Sequence, residues 1–100
     1  MGVSLQVVGP EVRGSFALQL APGTVAAQRN RLVDKLLTEP LFDVARELGV
    51  VLAADPHYFA RPLDGHDEQG CTRFQIHGRV EGDRLVPVRR EAARGPKRRR

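Results

Sequence analysis

Three stretches of this chain alternate apolar with polar residues, and a period of two fits a strand that buries one face. In "VSLQVV", Val3, Leu5 and Val7 alternate with Ser4 and Gln6. In "SFALQL", Phe16, Leu18 and Leu20 fall on one face. In "CTRFQIHGRV", Phe74, Ile76 and Val80 fall on one side and Arg73, Gln75, His77 and Arg79 on the other. The first two stretches flank "VGPEVRG", with Pro10 and two glycines, and read as a hairpin with a longish loop. After the turn "EGD", "RLVPVRR" reads as a return strand. Pro87 has no N–H for a ladder, which places that strand at a sheet edge.

Between the hairpin and the later strands the period changes to that of a helix. Thr24 is placed to cap, since its hydroxyl can accept from an unpaired first-turn N–H. Val25, Arg29, Leu32 and Leu36, together with Ala26, Val33 and Leu37, form a stripe at helical spacing. Asp34 has no base four residues on. Pro40 interrupts, because the residue before a proline is biased away from the helical region. The spacing predicts one helix ending near Thr38 and a second one capped by Thr38, carrying Leu41, Val44, Ala45 and Leu48. Gly49 fits the left-handed position after its last turn. "VVLAAD" reads as a short buried strand and "DPHYFARPLDGHDEQG" as a loop, with a short strand at "HYFA".

The expected order is ββααββ. It describes a small α+β domain over residues 1–90, with an antiparallel sheet of about four to six strands and a helix–kink–helix pair packed on one face. One hundred residues support one core, which with five aromatic residues must be built mainly from Leu and Val. No apolar run approaches the roughly 20 residues needed to cross a bilayer. "MGVSLQVVGP" lacks the basic region and long apolar stretch of a secretory signal. A single cysteine excludes an internal disulfide framework. These features predict a cytoplasmic protein without a membrane partner.

Charge is distributed unevenly. Residues 88–100 carry seven Lys and Arg against one Glu, whereas the other 87 carry nine basic and eleven acidic side chains. The basic balance therefore belongs to a tail over 91–100, where "GPKRRR" predicts a flexible end. Arg89, Arg90, Arg94, Lys97, Arg98, Arg99 and Arg100 are the first candidates for phosphate contact, because each neutralised phosphate releases counterions. Arg73, Arg79 and Arg84, on the polar sheet side, are the second tier. No aromatic shares that side of the Arg73 strand, so base stacking is not expected there.

Other chemistry has weaker support. Asp64, His66, Asp67, Glu68 and Cys71 are metal-ligand types close together, but they lack the paired spacing of a zinc site and the regular acids of an EF-hand, so no metal is expected. Neither GxGxxG nor GxxxxGK[ST] occurs, and no cofactor is expected. The reading is a non-enzymatic, nucleic-acid-associated protein that contacts RNA or DNA with low sequence selectivity, or else an acidic protein. A second reading is a homo-oligomer or partner-binding module using the edge around Val86, Pro87 and Val88. A third is a small metal-free ribonuclease, in which His57 and His77 exchange protons beside Arg73 or Arg79.

Overall fold

A computed structural model describes residues 2–66 and 70–88. The chain opens with β1, Ser4–Val8, and β2, Glu11–Leu18, paired antiparallel with Val8 opposite Glu11. The hairpin is tighter than the sequence predicts. Only Gly9 and Pro10 turn the chain, with Gly9 at φ 61°, the positive value a two-residue hairpin favours. Glu11, Val12 and Arg13 therefore belong to a strand and not to a loop.

A single helix follows, α1, Ala26–Leu48, with Pro40 inside it. This replaces the expected helix–kink–helix pair. An internal proline costs about 3 kcal/mol. Burying one Val or Leu side chain returns about 1.5–3 kcal/mol. Val33, Leu37 and Leu41 are buried at four-residue intervals and Ala45 extends the row, so continuity through Pro40 outweighs the lost hydrogen bond. Neither threonine caps. The Thr38 hydroxyl donates to the Asp34 carbonyl at 2.6 Å, and the Thr24 hydroxyl donates to the Ala21 carbonyl at 2.6 Å. Val25 holds the cap position without a side-chain bond and is exposed. Gly49 behaves as expected, at φ 72° with its N–H on the last carbonyls of the helix.

Beyond α1 come β3, Val51–Leu52, a 3-10 turn over Pro56–Phe59, β4, Ala60–His66, β5, Thr72–Glu81, and β6, Arg84–Pro87. The six strands form one sheet in the order β1-β2-β5-β6-β3, with β4 also on β5. The sheet is mixed and not purely antiparallel, because β3 runs parallel to β6. β6 is consequently flanked by β5 and β3 at Arg84 and Leu85 rather than lying at the edge; Pro87 falls beyond its pairing with β3. The inner sheet face carries Val12, Phe16, Phe74, Ile76 and Leu85, which meet the buried stripe of α1. Phe16 and Phe74, directly opposite in register, stack with centroids 4.8 Å apart. Phe59 closes the core over Gly78, where an added Cβ would lie 3.0 Å from its ring. Among the described residues, no helix is long and apolar enough to cross a membrane.

Candidate functional site

Strand register decides what shares the outer face of the sheet, away from α1. On β5, Arg73, Gln75, His77 and Arg79 stand opposite Ala17, Ser15, Arg13 and Glu11 of β2. On the other side of β5, Arg61 of β4 stands opposite Gln75, and Arg84 of β6 opposite Glu81. The face therefore contains the expected Arg73, Arg79 and Arg84 and gains Arg13 and Arg61. Among the described paired strand residues of this face there is no Phe, Tyr or Trp.

The arginines are not equivalent, because Glu11 stands among them. Arg13 donates from Nε and Nη2 to Glu11 Oε1 at 2.9 and 2.7 Å, and His77 Nε2 lies 3.2 Å from the same oxygen. Arg79 Nη2 lies 3.5 Å from Oε2. Hydrogen bonds from Arg13, then from His77, hold the Glu11 carboxyl at about 2, down from the usual 4.5, against the opposing effect of desolvation. One carboxylate thus engages three cationic or potentially cationic groups. Arg73, Arg84 and Arg61 have no salt bridge or side-chain hydrogen bond among the described residues. Arg89, Arg90, Arg94, Lys97, Arg98, Arg99 and Arg100 lie outside the described residues.

A second feature opens at a seam in the sheet. β4 pairs with β5 as far as Ala60 opposite Ile76, and β6 takes over with Pro87 opposite Gly78. His77 sits between them, its carbonyl accepting from the Val88 N–H at 3.1 Å. Here a cleft of about 290 Å³ opens, lined by Arg29 and Asn30 of α1, His57 and Tyr58 of the 3-10 turn, Arg61 and His77. The 3-10 turn starts at Pro56, whose ring suits a first helical position, and replaces the expected strand at "HYFA".

His57 is fixed twice to α1. Its backbone N–H and its Nδ1 each lie 2.8 Å from Asp34 Oδ1. A carboxylate beside a ring nitrogen requires that nitrogen to carry the proton, so Nδ1 donates and Nε2 is the ring atom left over. By the same reasoning His77 donates from Nε2 to Glu11, leaving Nδ1. Asp34, which lacks a helical partner, finds one across the fold. The strand pairing that would bring the two histidines together is not formed, because His57 lies in the 3-10 turn; both nevertheless line one cleft. Arg29 and Arg61 accompany them there, rather than Arg73 or Arg79.

Glu11, Arg29 and Arg61 were hidden from sequence reasoning for different reasons. Glu11 and Arg61 lie in stretches that read as loops, and Arg29 falls within the apolar helical stripe. The alternation of Val12, Gly14 and Phe16 with Glu11, Arg13 and Ser15 is the signal that places Glu11 on the outer face. The acidic run from Asp64 to Glu68 falls where side chains are not described, and among the described residues no His, Cys, Asp and Glu cluster forms a metal site. Comparison with protein-family models, with curated proteins and with solved structures found no match to this chain.

Proposed function

We propose that this protein is a nucleic-acid-associated accessory protein that contacts the phosphate backbone of RNA or DNA. The observation that carries this reading is the juxtaposition of Arg61 and Arg73 on a sheet face whose described strand residues include no Phe, Tyr or Trp, with neither arginine engaged by a carboxylate among the described residues. Guanidinium groups without partners attract phosphate oxygens, and a face without stacking aromatics has little means of discriminating bases. Arg84 extends the face, and the arginines and lysine from Arg89 to Arg100 add sequence-independent charge. The expected binding is salt-sensitive and weakly selective.

Salt-titrated binding to a short RNA and a short duplex DNA tests this, using the full chain, a chain ending at Glu91 and the double variant Arg73→Ala, Arg84→Ala. Shortening removes Arg94, Lys97, Arg98, Arg99 and Arg100, so full engagement of those groups flattens the log–log salt slope on duplex DNA by roughly 4 to 5. The double variant flattens it by about 2. No binding by the full chain at low salt overturns the reading.

A second reading, pairing with another copy or a partner through a sheet edge, is favoured at β1 rather than at β6. β1 ends the sheet, and Val7 and Val8 on it are 47% and 56% exposed. Light scattering on the full chain tests its self-pairing arm. A concentration-independent monomer removes self-pairing.

A further inference from the structure

We infer that the cleft at the β4–β6 seam is a binding site for a single phosphate-class oxyanion, adjoining the backbone-contact face and sharing Arg61 with it. Its chemistry is that of an anion site. Arg29 enters from α1 and Arg61 from β4, and neither has a salt bridge or side-chain hydrogen bond among the described residues. Guanidinium groups present a planar fork of N–H donors that matches the spacing of phosphate oxygens. Asn30 contributes an amide and Tyr58 a hydroxyl to the same lining.

The carboxylates near the cleft do not oppose an anion as free groups. Asp34 Oδ1 already accepts from the His57 backbone N–H and Nδ1. Glu11 already accepts from Arg13 and His77 and lies near Arg79. Each carboxylate instead fixes an imidazole; the remaining ring nitrogen of His57 and of His77 donates to an oxyanion when the ring is protonated and otherwise accepts from a phosphate hydroxyl. The supporting elements are rigid: His57 is tied to α1 by two hydrogen bonds, and His77 is held between β2, β6 and Glu11.

Size narrows the ligand. At about 290 Å³ the cleft lies at the small end of ligand pockets, suited to one phosphate group with part of an attached sugar. Another cleft in the described residues, about 390 Å³ between the end of β2 and the first turns of α1, has Gln19, Gln28, Arg31 and Lys35 around Leu20 and Leu32. Its surface is mainly apolar and it holds no histidine, so it invites no comparable assignment.

The test uses amide NMR of the full chain titrated with inorganic phosphate, with adenosine 5′-monophosphate and with a short single-stranded RNA. Saturable shifts centred on Asn30, His57, Tyr58 and His77 are expected, with phosphate affinity reduced ~10-fold in Arg29→Ala and, independently, in Arg61→Ala, as for loss of a charge-assisted bidentate contact. Arg46→Ala, at an exposed position near the end of α1 and outside both sites, leaves phosphate affinity unchanged. Phosphate also raises the thermal midpoint of the parent chain and does so less in either cleft variant, which separates lost binding from lost folding. Tighter binding of RNA than of the mononucleotide, with phosphate competing, identifies the ligand as a nucleic-acid phosphate. Equal or weaker RNA binding identifies a free phosphate compound. Shifts that do not saturate, or that persist unchanged in both cleft variants, overturn the assignment. Since Arg73 and Arg84 lie outside the cleft lining, failure of the backbone-contact face leaves this result readable.

Discussion

The two ends of β5 present the same kinds of side chain to the outer face, yet their electrostatics differ. Near Arg79, Glu11 gathers Arg13, His77 and Arg79 around one carboxylate. Near Arg73, Arg61 and Arg73 flank the neutral Gln75 and its partner Ser15, with no carboxylate bonded to either among the described residues. Both ends are rich in arginine. At one end Arg13 and Arg79 share the Glu11 carboxylate, and at the other Arg61 and Arg73 have no carboxylate partner among the described residues. A basic strand face is therefore a poor guide to a binding surface until the acids that share it are known.

The most forceful way to break this contrast is to disturb the hairpin that delivers Glu11. A Cβ at Gly14 would lie 2.0 Å from the Ser4 carbonyl oxygen, a backbone atom that only a shift of β1 can move. Gly14→Ala is expected to destabilise the chain by about 2 kcal/mol or more. Urea unfolding reads this directly, and an unchanged midpoint would contradict the close approach of β1 over Gly14.

Next in size is the anchor at the cleft. Asp34→Ala removes the acceptor of both His57 bonds and is expected to cost about 1–2 kcal/mol. The proton exchange of the His57 amide should accelerate more than that of Val12 or Ile76 in the core. Equal acceleration across the chain would mean that the 3-10 turn is not held separately by Asp34.

Glu11→Gln sharpens the comparison from the acidic side and carries a pH signature. The folded carboxyl titrates at about 2, below its ordinary 4.5. Its ionised form therefore contributes stability that is present above about pH 4.5 and is lost as pH falls toward 2. The stability gap between parent and Glu11→Gln should be constant above pH 5 and close on acidification through that window, as read from urea midpoints. A gap that widened with acid would reverse the assigned sign. At neutral pH the same variant releases Arg13 and Arg79 and should bind RNA more tightly.

The smallest effect is also the most direct comparison. Arg73→Ala should reduce RNA affinity and flatten the salt slope by about 1, whereas Arg79→Ala should change both less, because Glu11 already occupies that guanidinium. In a Glu11→Gln background the two arginines should become similar. Equal losses in the parent background would remove the distinction between the ends of β5.

Much of the frame is legible in the residues themselves. Val3 to Val7, Phe16 to Leu20 and Phe74 to Val80 carry the strand period, and Val33, Leu37, Leu41 and Ala45 carry the helical one. Gly49 marks the end of α1 because a residue without a Cβ enters the left-handed region at little cost. Those signals are local, and local sterics and one-sided burial are enough to produce them. Pro40 is the instructive exception. Its local rule predicts a break, and only the core on the far side of Leu37 and Leu41 outweighs it.

The candidate sites depend on separations that no local pattern encodes. His77 meets Glu11 across 66 positions of sequence, and His57 meets Asp34 across 23. The sequence by itself determined an α+β chain, its apolar faces and the basic side of β5. Tertiary structure alone decided which arginines a carboxylate would occupy, that β3 would join β6 in parallel, and that two histidines would line one cleft. The physical reason is that burial periodicity acts over a few residues, while charge pairing and clefts are set by whichever elements the closed core brings within hydrogen-bonding distance.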